Sequence, residues 1–211
     1  MRPALKRLEM ALRARVPERL RRAYRVARAA AAEAPISKPL PAHLVENCRM
    51  CASRYELLSL LPKAGVVAEL GTWRGAFASD ILKRAAPQRL HLIDIDFSQV
   101  PAALIADPRV EKHQGLTHAV MAGFGDATFD WIYVDADHSY EGALRDARAC
   151  APKLKPGGYL VFNDFAHIDP GLGRYGVHRA VVDFMLEAQW PLAFFAFQTA
   201  ALYDVALRKP G

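Results

Sequence analysis

Cysteine is scarce in this chain, with three residues among 211, at Cys48, Cys51 and Cys150. So few and odd a set excludes a disulfide framework and fits a reducing compartment. Cys48-x-x-Cys51 resembles half of a zinc site, but zinc takes four ligands and no second pair is present, so these read as incidental thiols near a helix start. No run of apolar residues is long enough to span a bilayer, and the N-terminus has neither the apolar core nor the small-residue cleavage site of a secretory signal. A cytoplasmic protein is expected. Charge of one sign is also missing from most of the chain. The formal net charge is +6, yet residues 1–34 hold ten Arg or Lys against three Glu, so the remainder carries a net charge of −1.

The length suits one domain with a full core and a short extension. In the extension, residues 1–34, Leu5, Leu8, Leu12, Val16, Leu20 and Tyr24 recur at helical spacing with arginines between them, and Pro17 divides the segment into two short helices. Its apolar stripe has three uses open to it: packing on the domain or on a second copy, docking on an anionic membrane surface, and contact with RNA. Burial is the default for such a stripe, so a homo-oligomer is expected, peripheral membrane contact comes second and nucleic acid is disfavoured. Pro35, Pro39 and Pro41 make residues 35–42 an extended connector, which leaves residues 43–211 as the folded domain.

Within that domain helical patterns alternate with short apolar runs. Helices are predicted at 54–61, 76–85, 100–105, 117–122, 140–151 and 177–188, and strands at 65–70, 89–94, 110–113, 129–134, 158–162, 192–197 and 201–207. Such alternation specifies an α/β fold: a Rossmann-like, doubly wound, mostly parallel sheet with helices on both faces. The last two strands are too close for a crossover, so the last strand is antiparallel, at one edge of the sheet.

A parallel sheet binds ligands at the carboxyl ends of its strands, and four predicted strands end in polar residues there. The first carries Glu69-x-Gly71-x-x-x-Gly75, where glycines let backbone turn sharply and approach a ligand; the third glycine of a dinucleotide fingerprint is absent, which disfavours NAD. The second ends in Asp94 and Asp96, and Asp94 stands where a carboxylate accepts hydrogen bonds from ribose hydroxyls. Asp135, Asp137 and His138 follow the fourth, and Asn163 and Asp164 follow the fifth. Each of these could equally cap a helix or shape a turn. Ser139 reads as a helix cap.

These motifs, together with Val134-Asp135-Ala136-Asp137-His138-Ser139-Tyr140 and Lys155-Pro156-Gly157-Gly158, resemble class I S-adenosylmethionine-dependent methyltransferases over about residues 54–207. The D-x-D-H-S-Y pattern is most similar to small-molecule O-methyltransferases, several of them metal-assisted. The resemblance implies that Glu69 and Gly71, with Thr72 and Gly75, line the methionyl part of S-adenosylmethionine, that Asp94 takes the ribose, that Gly115 and Leu116 take the adenine, and that Asp135 completes the set. Family members often have an acidic residue near Leu116, and this chain departs from that pattern. The resemblance also implies a divalent cation, Mg²⁺, on Asp135, Asn163 and Asp164, with the last pair in reversed order from one common form. A hard cation of this kind lowers the pKa of a bound hydroxyl.

His138 is the candidate general base, because an imidazole titrates near neutrality; stacking or a backbone bond is its structural alternative. His167 and His178, on the following loop and helix start, read as either facing a substrate or lying at the surface, and Asp169–Gly176, with three glycines, reads as either a loop over the acceptor pocket or an ordinary turn. The expected activity is methyl transfer to a hydroxyl of a small-molecule acceptor. The alternatives are an amine or macromolecular acceptor, and a non-catalytic cofactor-binding module that docks through its basic N-terminus.

Overall fold

The computed structural model describes residues 37–169, 173–199 and 202–211. The basic segment 1–34, and the helices expected there, lie outside the described residues. In chain order the elements are β1 (Arg49–Cys51), α1 (Arg54–Leu60), β2 (Val66–Leu70), α2 (Ala76–Arg84), β3 (Arg89–Asp94), α3 (Ala102–Ile105), β4 (Val110–Gln114) and α4 (Thr117–Ala122). They continue with β5 (Phe129–Val134), α5 (Tyr140–Cys150), β6 (Leu154–Phe162), β7 (Ile168–Asp169), β8 (Gly173–Arg174), α6 (Val177–Ala188), β9 (Leu192–Ala196) and β10 (Asp204–Arg208).

Eight strands form one sheet in the order β1-β9-β10-β6-β5-β2-β3-β4. All neighbours run parallel except β10, which is antiparallel to both β6 and β9. The antiparallel strand expected at an edge is therefore interior. The short connection 197–203 folds β10 back beside β9, and β9 then pairs outward with β1, a three-residue strand too short for its periodicity to be read.

Strand alternation sorts the core into two faces. Val67, Leu90, Leu92, Trp131 and Tyr133 pack with Leu57, Phe77, Ile81 and Leu104 of α1, α2 and α3. Ala68, Leu70, Ile93, Ile132 and Val134 pack with Met121, Ala147, Val181 and Phe184 of α4, α5 and α6. Trp131 is fully buried and its indole N–H donates to the Pro62 carbonyl at 3.1 Å, so the largest core side chain leaves no unmet donor.

β6 begins four residues before its predicted start, because Lys155-Pro156-Gly157-Gly158 forms an irregular stretch inside the strand rather than a turn before it. Lys155 binds both carboxylate oxygens of Asp130 at 2.8 Å, and Asp130 accepts the Val66 N–H at the start of β2. This motif thus fastens the amino ends of the strands, far from the rim where ligands bind. No helix among the described residues is long and apolar enough to cross a membrane.

The chain runs from β2 to β3 and β4 on one side, then returns to place β5 on the other side of β2. The connections diverge above the β2–β5 boundary, which opens a crevice at that point of the rim.

Candidate functional site

Gly71 and Asp135 meet at this switch point. The Asp135 N–H donates to the Leu70 carbonyl and the Gly71 N–H to the Ile93 carbonyl, each at 2.8 Å. Gly71 has φ +89°, and a Cβ placed on it would stand 1.9 Å from the Asp135 carbonyl oxygen. Only glycine allows the two strand ends to lie this close. The turn then closes with the Gly75 N–H on the Thr72 carbonyl at 2.8 Å, and Gly75, at φ +72°, leads into α2.

Asp94, at the end of β3, holds this turn. Its Oδ2 accepts the N–H groups of Thr72 and Trp73, each at 2.8 Å, and its Oδ1 accepts that of Asp96 at 3.0 Å. The carboxylate expected to face ribose hydroxyls is thus also the clamp that shapes the glycine turn. Asp96 forms a local turn with Ser98 instead. Gly115 donates to the Asp94 carbonyl at 2.9 Å, and Leu116 is the N-cap of α4. Trp73, Ile95 and Leu116, each following a neighbouring strand, are 66%, 65% and 59% exposed. Three apolar side chains left in water along one rim suit a flat, largely apolar ligand part.

Glu69 is buried beneath the turn. Its Oε2 and the Thr72 hydroxyl have no partner outside the Glu69–Thr72 pair, and burial, reinforced by the charge of Asp135 and opposed by the Thr72 hydroxyl, pushes the Glu69 carboxyl well above its ordinary range. Buried polar atoms with unused hydrogen-bonding capacity at a strand end mark places that a ligand can satisfy.

Beside the crevice, the Asp137-His138-Ser139 segment divides its labour. Asp137 accepts the Ser139 N–H, and the Ser139 hydroxyl accepts the Gly142 N–H at 3.1 Å to cap α5. His138 is directed instead between two carboxylates: its Nε2 lies 3.2 Å from Asp135 Oδ1 and 3.8 Å from Asp164 Oδ2. Burial lowers its pKa, but Asp135, Asp164 and Asp137 outweigh burial and hold it above the usual imidazole value. Tyr175 stacks on the ring, with centroids 4.5 Å apart and planes at 27°, and the Gly176 N–H donates to the His138 carbonyl at 2.8 Å. Tyr175 and Gly176 thus hold the histidine. A Cβ on Gly176 would stand 2.1 Å from the Tyr140 nitrogen, so glycine is required for that contact. His167 packs edge-on to Tyr175, while His178 packs on Phe165.

Below this group lies a buried polar network. Tyr133 donates to Asp204 Oδ2 at 2.6 Å, Gln198 donates to the other oxygen of Asp204, and Arg54 reaches the side-chain oxygens of Asn163 and Gln198 at 3.4 Å each. Asn163 Nδ2 donates to Asp135 Oδ1 at 2.9 Å and connects the network to the rim. Burial pushes Asp204 up to about 7. Arg54, Tyr133, Gln198 and Asp204 were not predicted as site residues. The signal that was present is a lone carboxylate heading the apolar strand Asp204–Arg208.

Asp135, Asn163 and Asp164 do come together, but not as a Mg²⁺ site. The Asn163 oxygen faces the Arg54 guanidinium, its nitrogen faces Asp135, and the His138 ring stands between the two carboxylates. A hard cation needs converging oxygens, and the residues as arranged do not fit one.

The comparisons decide the frame in which this rim is read. Residues 68–165 match a methyltransferase domain. The match runs from within β2 to the turn after β6 and so includes Glu69, Gly71, Asp94, Asp135, His138, Asn163 and Asp164, while Arg54, Tyr175, Gln198 and Asp204 lie outside it. No curated protein matches the chain. Among solved structures, an O-methyltransferase family protein from Burkholderia thailandensis has a TM-score of 0.58 at 16% identity, covering 75% of this chain and 55% of that one. The N-methyltransferase NodS from Bradyrhizobium japonicum gives 0.56 at 20% identity, covering 75% and 93%. The 1,6-didemethyltoxoflavin-N1-methyltransferase from Burkholderia thailandensis, solved with bound 1,6-didemethyltoxoflavin and S-adenosylhomocysteine, gives 0.55 at 16%, covering 76% and 80%. These likenesses show the fold alone, a Rossmann-like, mostly parallel sheet with helices. They include both O- and N-methyltransferases, and the chain spans little more than half of the first.

Proposed function

We propose that this methyltransferase domain moves a methyl group from S-adenosylmethionine to a hydroxyl of a small molecule. The observation that carries the reading is the β2–β5 junction, where Gly71 lies flush against Asp135 above the buried Glu69–Thr72 pair, whose oxygens have no partner outside the pair. S-adenosylmethionine, when bound, supplies a methyl group already activated by its sulfonium. Glu69, Gly71, Thr72, Gly75 and Asp135 would line its methionyl side, Asp94 its ribose, and Gly115 and Leu116, with Ile95, its adenine. A cofactor without phosphate needs close backbone approach and carboxylates rather than a phosphate cradle, and this rim offers that chemistry.

The remaining task is to orient the acceptor and remove its proton. His138 is the group for it. Asp135 and Asp164 flank its buried Nε2–H and stabilise the imidazolium formed when the other ring nitrogen, Nδ1, takes the hydroxyl proton, while Tyr175 fixes the plane of the ring. The methyl group passes to the acceptor oxygen as the O–H proton passes to His138. No step is routed through Mg²⁺.

Calorimetric titration with S-adenosylmethionine and S-adenosylhomocysteine, with and without Mg²⁺, tests the cofactor. Micromolar binding independent of Mg²⁺ is expected; no binding below about 1 mM would sink the reading. A panel of hydroxylated and amine acceptors in EDTA then tests the acceptor. Transfer to amines alone would overturn the hydroxyl assignment, and activity lost in EDTA and restored by Mg²⁺ would reinstate a metal.

A further inference from the structure

On the β3–β4 flank of the sheet, just below the strand ends that carry Asp94 and Gly115, β3 and the edge strand β4 bring together two histidines and a glutamate. His91 is paired in register with Glu111, and His113 is two residues further along β4, so all three side chains project from one face. His91 Nδ1 and His113 Nε2 are 2.9 Å apart. Glu111 directs Oε2 to His91 Nδ1 at 3.8 Å and Oε1 to His113 Nε2 at 3.5 Å. Among the described residues this is the group of His, Cys, Asp and Glu whose ligand atoms converge, all within 4.8 Å of one another.

We propose that His91, Glu111 and His113 form a Zn²⁺ site that fastens the edge strand β4 to β3. A tetrahedral ion with bonds of 2.0–2.1 Å needs ligand atoms about 3.3 Å apart; the imidazole nitrogens are 2.9 Å apart, each has a different Glu111 oxygen at 3.8 or 3.5 Å, and one atom from each residue already lies within 4.8 Å of the other two, so small side-chain rotations reach that spacing. A hydrogen bond between the imidazoles accounts for the shortest of them but not for the carboxylate, whose oxygens are too distant for good hydrogen bonds yet face the same two nitrogens. The rings are held in place: Phe124 meets His91 and His113 edge-on at 5.1 and 5.2 Å, and Phe129 meets His91 at 5.5 Å. Two imidazoles and one carboxylate suit a borderline ion such as Zn²⁺ better than Mg²⁺ or Ca²⁺. Glu111 is half exposed, so water can enter and complete the coordination.

The site is tested on the full-length chain after metal stripping, by calorimetric titration with ZnCl₂ and by thermal melts with and without the ion. One equivalent with a dissociation constant below about 10 µM is expected, with a rise in melting temperature. Glu111→Gln and His113→Gln should each weaken binding at least about tenfold and remove that rise, while Asp135→Asn leaves both unchanged. Glu111→Gln is isosteric and half exposed, so its fold is not at risk. Binding weaker than about 100 µM, or tight binding that survives both glutamine variants, would overturn the proposal and leave a histidine–histidine hydrogen bond.

Discussion

Above β2, β3 and β4 the rim is held by backbone: two N–H groups of the glycine turn rest on Asp94, and the Gly71 and Gly115 N–H groups rest on strand-end carbonyls. Above β5 and β6 it is held by side chains, with His138 between Asp135 and Asp164 and, beneath them, Asn163, Tyr133, Arg54, Gln198 and Asp204 in contact. The difference separates two tasks. A donor that is the same in every turnover can be received by a fixed backbone surface. Proton transfer needs charges whose strength is set by burial and by neighbours, and those come from side chains drawn from distant parts of the chain.

The comparison breaks most severely at the residue shared by both halves. Gly71→Ala places a Cβ 1.9 Å from the Asp135 carbonyl and forces alanine to φ +89°, so a loss of about 3 kcal/mol or more is expected in denaturant melts, together with loss of S-adenosylmethionine binding. On the side-chain half, His138→Gln should slow methyl transfer by about 10²- to 10⁴-fold while calorimetry shows unchanged cofactor affinity. A base must be neutral to act, and the carboxylates hold His138 above its ordinary value. The wild-type rate should therefore rise with pH through a midpoint above about 6.5, and the variant should lose that limb.

The buried network gives a third test. Burial raises Asp204 to about 7, against the opposing hydrogen bond from Tyr133 and the charge of Arg54, with Asp135 and Asp164 adding to the rise. A carboxyl whose folded pKa stands above its unfolded value binds extra protons in the native state. Its contribution to stability is therefore complete below about pH 4 and declines as pH rises to about 7. Asp204→Asn should remove that decline, worth on the order of 4 kcal/mol over the window, when unfolding free energy is compared across pH. A slope unchanged in the variant would show that Asp204 is not the titrating group. Smallest is Asp94→Ala, which frees the Thr72 and Trp73 N–H groups. Cofactor affinity should fall by about 2–3 kcal/mol in calorimetry with a smaller loss of stability in melts, because Trp73 N–H is released to solvent while the buried Thr72 loses its partner.

The backbone half of the rim was legible because its signals are local. Gly71 and Gly75 lie within one turn, and Asp94 ends a strand that its own alternation identifies. The Asp137-His138-Ser139 run was readable in part: Ser139 is the helix cap that its residue type suggests, while the direction of His138 depends on Asp164 and Tyr175, both far away in sequence. Arg54 read as an ordinary first residue of a helix. Nothing near it announces Asn163 or Gln198, which it meets only because β6 and the β9–β10 connection fold beside α1.

Periodicity and strand-end residues in the sequence determined an α/β sheet wound on both faces, a glycine turn at the end of β2 and the set of carboxylates on one rim, since each of these rests on contacts within a few residues. Tertiary structure alone decided the interior position of β10, the seat of His138 between two carboxylates and the Asn163 amide turned from a cation toward Arg54. It also decided the meeting of His91, Glu111 and His113, because register between strands brings those groups together and register is a property of the folded sheet.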